Sequence, residues 1–338
     1  TISAVRQRYP DAEVWVVVRR GCEGILSGCP AIDRLLTAPA VERSLRSRWD
    51  WVLNLKLCRE LRRKPFDSVF ELSDGDRGRW LGAVCRSKHR CTNGGGWPIS
   101  RFWRFFFDQV AGVKPLEVHA VEKDYKTVKQ FLPLEGGIPK LSFSPDRTQP
   151  WAPADGIDDF AFLHPATRWL RKRWPEEHWL ELGRSLLQRV SRLVVSCGPD
   201  PEEIEATSRL CEQLGPKAIF TGGALAWPQL AGLLHRARLF VGVDTAAMHL
   251  AAACQCPTAA IFGPSVPWIW HPWSVRHRLV APADNDAYSG RLEQIGEIEA
   301  LRVADVSVAR VLEACDELLR AETTSSPPAH PQPEPTVS

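Results

Sequence analysis

The chain has 338 residues and a formal net charge of +3, with 44% hydrophobic and 25% charged residues. This length predicts about two domains, and the composition is typical of a globular protein rather than a disordered or fibrous one. No apolar run is long enough to span a bilayer and no signal peptide opens the sequence, so we expect a cytoplasmic protein, and a charge so close to balance requires no nucleic-acid partner.

The first half predicts strands alternating with helices. Runs of β-branched and aromatic residues predict strands at Val14–Val18, Arg34–Thr37 and Ser68–Leu72. Apolar residues at helical spacing predict helices at Cys22–Ser27, 44–64, Arg77–Cys85, Phe102–Val110 and Val121–Leu132.

Two basic clusters, in residues 43–64 and 77–90, precede the aromatic segment FWRFFF at 102–107. Basic residues beside exposed aromatics suit an anionic membrane surface or a phosphorylated acceptor. A solvated helix face and a core helix explain the same pattern. The sequence alone leaves both interpretations open.

The second half repeats the alternation after a Pro- and Asp-rich stretch at 144–159, which we interpret as a linker. Strands are predicted at Phe160–Leu163, Leu193–Ser196, Ala218–Thr221, Leu239–Val243 and Thr258–Phe262. Helices are predicted at Pro175–Val190, Pro201–Leu214, Trp227–Ala237, Thr245–Ala253 and Val306–Leu319. This order predicts an α/β fold in which helices cover both faces of a parallel sheet.

Ten scattered cysteines, with only Cys254 and Cys256 close together, predict buried thiols and no metal site. The Pro/Ser-rich tail at 321–338 is predicted to be disordered. Motifs are absent for a dinucleotide fold (GxGxxG), a P-loop (GxxxxGK[ST]) and a hydrolase elbow (GxSxG). A nicotinamide dehydrogenase, a P-loop ATPase and an α/β-hydrolase are therefore disfavoured.

Three loops follow predicted strands and should meet at one sheet edge, where ligands of open α/β sheets bind. The loop at 164–175 offers Thr167 and Lys172 near a helix N-terminus, a favourable place for an anion. It also fits an ordinary basic turn. In the loop at 196–205, Glu202 either accepts hydrogen bonds from ribose hydroxyls or simply complements the helix dipole.

In the third loop, at 241–253, Asp244 ends a strand and precedes a first helical turn of small residues, Thr245, Ala246 and Ala247. Small side chains let backbone N–H groups approach a diphosphate closely. His249 lies one turn further on the same face as Thr245, where it either reaches that anion or is simply packed. The segment FGPSVPWIWHPW at 262–273 is predicted to form a shaped loop over the cleft.

The segment LFVGVDTAAMHLAAACQCPTAAIFGPSVPWIWHPW resembles the signature of the lipopolysaccharide heptosyltransferases, glycosyltransferase family 9. HPATRWLRKRWPEEHWLELG resembles their donor loop, and VRQRYPDAEVWVVVRRG and FDSVFELSDGDRGRWLGAV resemble their first domain. The resemblance covers residues 1 to about 320. The spacing of Thr167, Lys172 and Trp174, and the string Asp74-Gly-Asp76-Arg77-Gly78, are most similar to the heptosyltransferase III branch.

The resemblance implies a GT-B fold, in which two Rossmann-like domains with parallel sheets face across a cleft. Residues 1–143 would bind the acceptor, 144–159 would be the linker, 160–304 would bind the nucleotide sugar, and 305–320 would form a C-terminal helix. The implied reaction is inverting transfer of heptose from ADP-heptose to the lipopolysaccharide inner core, in the cytoplasm and with possible contact at the inner membrane. No cofactor or metal is implied.

The resemblance also implies roles for individual residues. Asp244, Thr245 and His249, with the backbone N–H groups of Ala246 and Ala247, would bind the donor diphosphate. Thr167 and Lys172 belong to the donor loop, and Lys172 would neutralise charge on the leaving ADP. Glu202 would bind the ribose, and Asp76 and Arg77 would lie on the acceptor side.

In the family, an Asp in a Gly-Asp loop near the start is the general base. This sequence begins with Thr1, after the position of that loop, so we expect a fragment lacking the base and one core strand. Asp74 and Asp76 are the nearest acidic residues in a loop of the first domain, and nothing assigns them the role.

Three other functions stay open from the sequence. They are a GT-B transferase or epimerase using a uridine donor, a non-catalytic protein that binds a nucleotide sugar, and a regulatory α/β domain. Preference for UDP over ADP would favour the first. Donor binding without transfer would favour the second, and the convergence of Lys172, Asp244 and His249 disfavours the third.

Overall fold

The computed structural model describes residues 1–39, 50–96, 99–282 and 295–320. The start of the helix predicted at 44–64, and the predicted disordered tail at 321–338, lie outside these ranges.

The first half is built on short parallel sheets flanked by helices. Its strands are β1 Trp15–Arg19, β2 Arg34–Ala38, β3 Pro65–Glu71, β4 Arg86–Asn93 and β5 Gln109–Ala111. Its helices are α1 Ile2–Arg8, α2 Glu23–Leu26, α3 Asp50–Leu61, α4 Asp76–Val84, α5 Arg101–Phe106 and α6 Ala120–Lys129. β1 pairs with β2, and β3, β4 and β5 form a second sheet in that order, all in parallel.

One expectation in this half is wrong, and one strand was not expected. The helix predicted at Phe102–Val110 ends at Phe106, because Gln109–Ala111 pairs with Cys91–Asn93 as a strand. β4 itself was not expected, since its sequence RSKHRCTN has no alternating apolar pattern. Only its last three residues are buried, so the first part of this strand has no reason to be apolar.

The second half contains one six-stranded parallel sheet. Its strands are β6 Phe160–His164, β7 Arg192–Val195, β8 Ala218–Phe220, β9 Leu239–Val243, β10 Thr258–Ile261 and β11 His277–Val280. Its helices are α7 Glu176–Leu186, α8 Pro201–Leu214, α9 Trp227–Arg236, α10 Ala246–Ala253, α11 Pro267–Trp270, α12 Ile295–Ala300 and α13 Val308–Arg320. The strand order is β11-β10-β9-β6-β7-β8, so β9 and β6 lie at the centre.

Alternating side chains of the central strands fill two apolar cores. Ala161 and Leu163 face a core that also holds residues of α7, α8 and α13, including Trp179. Phe160 and Phe162 face the other core, with residues of α9 and α10. The fold is therefore the predicted α/β arrangement, with helices on both faces of the sheet.

The segment predicted as a linker lies against the second half. Ala154 of this segment, and Phe143 just before it, are buried in the core that contains α9 and α10. Two single 3-10 turns, Pro145–Arg147 and Ala152–Ala154, shape the segment. This segment therefore packs against the second half before the chain enters β6.

The two halves also touch directly. Trp227 Nε1 donates to the Gly21 carbonyl at 2.7 Å, and Trp268 Nε1 donates to the Leu116 carbonyl at 2.9 Å. All ten cysteines are free thiols, and seven of them are buried, as the sequence predicts. In the described ranges no helix has the length and apolar character needed to cross a membrane.

Candidate functional site

The three loops singled out in the sequence follow neighbouring strands. β6 pairs with β9 on one side and with β7 on the other, all in parallel. The loops after His164, Val195 and Val243 therefore leave the sheet side by side at its carboxyl edge. This is the edge at which open α/β sheets bind ligands.

Asp244, directly after β9, is the centre of this edge. Lys172 Nζ lies 2.6 Å from Asp244 Oδ2, and His249 Nε2 lies 3.6 Å from Asp244 Oδ1. Ser265 adds a hydrogen bond from its side chain. The Asp244 side chain is only 9% exposed, so these neighbours and not water solvate the carboxylate.

Burial by itself would raise the pKa of Asp244, but the His249 ring, the Lys172 ammonium and the Ser265 hydroxyl outweigh it. Together they lower the pKa of Asp244 to about 2. Asp244 is therefore ionised at neutral pH, and it fixes the position of the Lys172 ammonium at the carboxyl edge of β9.

Helix α10 begins beside this ion pair. Thr245 is its N-cap residue, yet no N–H of the helix bonds to the Thr245 side chain, and the buried Thr245 Oγ1 has no hydrogen-bond partner. Ala246 and Ala247 form the first turn, where backbone N–H groups have no acceptor within the helix. An unused hydroxyl, unused N–H groups and a nearby ammonium make this a favourable place for an anion.

The donor loop reaches α10 through a short 3-10 turn, Leu170–Lys172. Thr167 is buried, and its hydroxyl accepts a hydrogen bond from the Trp169 N–H at 3.3 Å. Lys172 Nζ lies 5.2 Å from the centre of the exposed Trp169 ring. This turn carries Lys172 across to Asp244, 72 residues later in the chain.

The two glutamates that open α8 have different environments. Glu202 is 79% exposed and lies 3.7 Å from Arg173 Nη2. Glu203 is buried and accepts a hydrogen bond from the Gly198 N–H at 3.0 Å, and burial raises its pKa. A Cβ at Gly198 would lie 2.7 Å from the Glu203 carboxylate oxygen, so a larger residue there would displace this carboxylate. The sequence singled out Glu202 and gave no sign that its neighbour Glu203 is the buried glutamate of this turn.

Of the residues expected on the acceptor side, Asp76 begins α4 and accepts a hydrogen bond from Trp103 Nε1 at 3.0 Å. Arg77 donates to Asn54 Oδ1 at 3.3 Å. Asp74, in the preceding turn, adopts a positive φ of 56° and is paired with Lys123 Nζ at 2.5 Å. These contacts tie Asp76 and Arg77 to residues of their own half of the chain.

The segment 262–273 contacts both the residues around Asp244 and the first half of the chain. Ser265 touches Asp244, and the Trp270 and His249 rings are 6.3 Å apart. Further along, His119 Nε2 donates to the His271 carbonyl at 2.9 Å, and the two imidazole rings are 4.5 Å apart. The turn residues and aromatics of this segment predicted a shaped loop, but they did not single out Ser265.

Among the described residues, no group of three His, Cys, Asp or Glu side chains could hold a metal ion. The Lys172 ammonium supplies a cationic group beside the start of α10. A cation next to free backbone N–H groups favours an anion such as a diphosphate.

Parallel α/β sheets flanked by helices in both halves define a GT-B type fold. The profile of glycosyltransferase family 9 (heptosyltransferase) matches residues 54–293, which is most of the chain. The chain belongs to this family, and it is an enzyme of the glycosyltransferase class.

Individual relatives agree with this assignment. Lipopolysaccharide heptosyltransferase 3 of Escherichia coli K12 is 27% identical over 292 residues, 81% of this chain and 80% of that protein. Lipopolysaccharide heptosyltransferase 1 of Pseudomonas aeruginosa is 30% identical over 261 residues, 74% and 70% of the two chains. The solved structure of E. coli heptosyltransferase WaaC with ADP-2-deoxy-2-fluoro heptose has a TM-score of 0.72 at 20% identity, and the match covers 94% of this chain and 93% of that one. That last likeness shows the fold.

Proposed function

We propose that this protein transfers heptose from ADP-heptose to the inner core of lipopolysaccharide, as a heptosyltransferase 3 does. The observation that carries the proposal is the Lys172–Asp244 pair at the start of α10, beside the unpartnered Thr245 hydroxyl. The names of the curated relatives support the lipopolysaccharide acceptor, and the donor analogue bound by WaaC supports ADP-heptose. The acceptor is membrane-anchored, which would bring the enzyme to the cytoplasmic face of the inner membrane.

In this reaction an oxygen of the acceptor hydroxyl forms a bond to the anomeric carbon of heptose. The bond from that carbon to the diphosphate oxygen breaks, and its electron pair leaves with ADP. The hydroxyl proton passes to a base on the acceptor side, whose identity the proposal leaves open. Negative charge therefore grows on the diphosphate, which is the charge that the donor site has to stabilise.

The donor half of the proposal assigns each group a task. The N–H groups of Ala246 and Ala247 and the Thr245 hydroxyl bind the diphosphate, and Lys172 neutralises the charge on the leaving group. Asp244 and His249 hold Lys172 and the start of α10 in place. Thr167 positions the donor loop, and Glu202 binds ribose hydroxyls. Residues 1–143 receive the acceptor, and residues 160–304 hold the donor.

A transfer assay tests the proposal. ADP-heptose and a lipopolysaccharide acceptor lacking the side-branch heptose should yield ADP and a product heavier by one heptose. Loss of a group that stabilises transition-state charge costs about 10²–10³-fold in rate, so Lys172→Ala should lower turnover by this order. Lys217→Ala is the matched control, because Lys217 is exposed at the amino end of β8, the opposite edge of the sheet.

Unchanged turnover in Lys172→Ala, with a circular dichroism spectrum like that of the wild type, would refute the role of Lys172. Transfer from a UDP-sugar but not from ADP-heptose would move the protein to a different GT-B activity. Donor binding with no transfer to any core acceptor would favour the non-catalytic alternative.

A further inference from the structure

An exposed aromatic surface lies on α4 and α5, outside the donor site. Phe105 is 85% exposed, and Phe102 and Trp80 are each 51% exposed. Large aromatic side chains of this kind are normally buried, and a group of them on the surface marks an interaction site. We call Trp80, Phe102 and Phe105, with the flanking Arg101 and Arg104, the α5 surface.

The rings of the α5 surface pack against neighbouring aromatic rings. Trp80 and Phe102 meet edge-to-face with ring centres 5.6 Å apart, and Phe105 packs the same way on Phe106 at 5.3 Å. Below them, Trp103 and Phe107 are buried in a small apolar core. Both interpretations left open by the sequence therefore apply to α5. One face of the helix belongs to an apolar core, and the other exposes aromatic rings to solvent.

The charge of this region is positive. α4 and α5 together contain four arginines and a single acidic residue, Asp76. The Asp76 carboxylate accepts hydrogen bonds from Trp103 and Arg79. Arg101 and Arg104 are both exposed beside the aromatic rings. Rigid aromatic rings next to arginines are suited to the headgroup region of an anionic bilayer, where rings enter the interface and arginines meet lipid phosphates.

The charge also argues against a second copy of the chain as the occupant. Symmetric pairing of this surface would bring Arg101 and Arg104 of two chains together, which costs energy without a counter-charge. An anionic lipid surface supplies that counter-charge. The location of the α5 surface also suits docking near the proposed acceptor half. Asp76 follows the carboxyl end of β3, and its hydrogen bond from Trp103 ties α4 to α5.

We propose that the α5 surface docks this enzyme on an anionic lipid bilayer, with Phe102 and Phe105 in the interface and Arg101 and Arg104 on lipid phosphates. The proposal extends the proposed function, since a lipid-anchored acceptor would then be presented at the acceptor half of the enzyme. Docking itself requires neither donor nor acceptor.

Vesicle flotation without any substrate tests the docking. Wild-type protein should float with vesicles of phosphatidylcholine and phosphatidylglycerol, and not with phosphatidylcholine alone. Phe105→Ser, and separately Arg101→Glu with Arg104→Glu, should each weaken binding about tenfold or more. All three positions are exposed, so these variants should fold. Arg184→Glu, on the exposed side of α7, and Leu116→Ser, an exposed apolar residue of the first half, are the controls.

Equal flotation of wild type and variants, or equal binding to neutral vesicles, would overturn the proposal. So would a wild-type dimer that Phe105→Ser converts to a monomer in light scattering, since the surface would then be a contact between copies. Transfer assays separate this from the proposed function. The variants should lose turnover on acceptor in vesicles and keep it on deacylated acceptor, whereas failure of the wild type on both would count against heptosyl transfer and leave the flotation result standing.

Discussion

At the residue scale, the proposed donor site depends on one buried carboxylate, Asp244. Asp244 has a pKa lowered to about 2, so it carries its charge throughout the range in which the enzyme can be assayed. Its partner Lys172 is mostly buried, and an unpaired buried charge is costly. A diphosphate bound at α10 would provide Lys172 with a second anionic partner in the same place.

The ribose contact gives the next prediction. If Glu202 binds ribose hydroxyls, the wild type should bind ADP about tenfold more tightly than 2′-deoxy-ADP, as loss of one hydrogen bond to a charged group predicts. In Glu202→Ala the two ligands should bind equally, as measured by calorimetric titration.

Glu203→Gln is the comparison for that experiment. Glu203 is buried against the Gly198 N–H, and its amide analogue keeps the size of the side chain. We expect it to preserve the difference between ADP and 2′-deoxy-ADP. If Glu203→Gln abolished the difference while Glu202→Ala kept it, the ribose contact would belong to Glu203.

At the scale of an element, the first turn of α10 should require small residues. Ala246 is exposed at the start of the helix, so Ala246→Leu should leave the melting temperature nearly unchanged. The larger side chain should cover the N–H groups that bind the diphosphate, and ADP affinity should fall at least tenfold. Ala246→Ser is the control that stays small, and ADP affinity unaffected by Ala246→Leu would contradict a diphosphate site here.

The environment of His119 at the start of α6 predicts that the stability of the protein depends on pH. His119 caps α6 by accepting the Val121 N–H at Nδ1, while Nε2 donates to the His271 carbonyl, so the ring is held neutral. The pKa of His119 is lowered to about 4, mainly by burial and further by the nearby His271 and His249 rings. Glu122 and the His271 carbonyl act in the opposite direction.

Because the unfolded chain takes up this proton near pH 6.5 and the folded chain only near pH 4, stability should fall as the pH decreases between these values. His119→Asn can still cap the helix but cannot titrate. Urea unfolding at several pH values should therefore show a smaller loss of free energy across this window in His119→Asn. Identical slopes for the two proteins would show that His119 does not contribute.

At the scale of the whole molecule, the segment 262–273 joins the halves to the donor site. It touches Asp244 through Ser265 at one end and His119 through His271 at the other. Trp268 adds its hydrogen bond to Leu116 between them. The same short stretch of chain therefore contacts both the surroundings of Asp244 and the first half.

The parts of this molecule that were predictable from sequence are those where burial dictates residue type. Leu239–Val243 is buried on both faces, and its predicted bounds match β9. β4 and β11 were missed because their sequences, RSKHRCTN and HRLV, carry cationic and partly exposed residues. The meeting of Lys172 and Asp244 followed from strand alternation, since both lie in loops that follow the neighbouring parallel strands β6 and β9. The different environments of Glu202 and Glu203 did not follow from the sequence. They depend on how α8 is rotated relative to the Gly198 turn.

The most direct test of the donor site is a calorimetric titration of the protein with ADP, with UDP as the control ligand and Asp244→Asn as the control variant. We predict that wild-type protein binds ADP more tightly than UDP, and that Asp244→Asn loses most of the ADP affinity while remaining folded. Equal affinity for ADP in the two proteins, or tighter binding of UDP, would contradict a donor site built on Asp244.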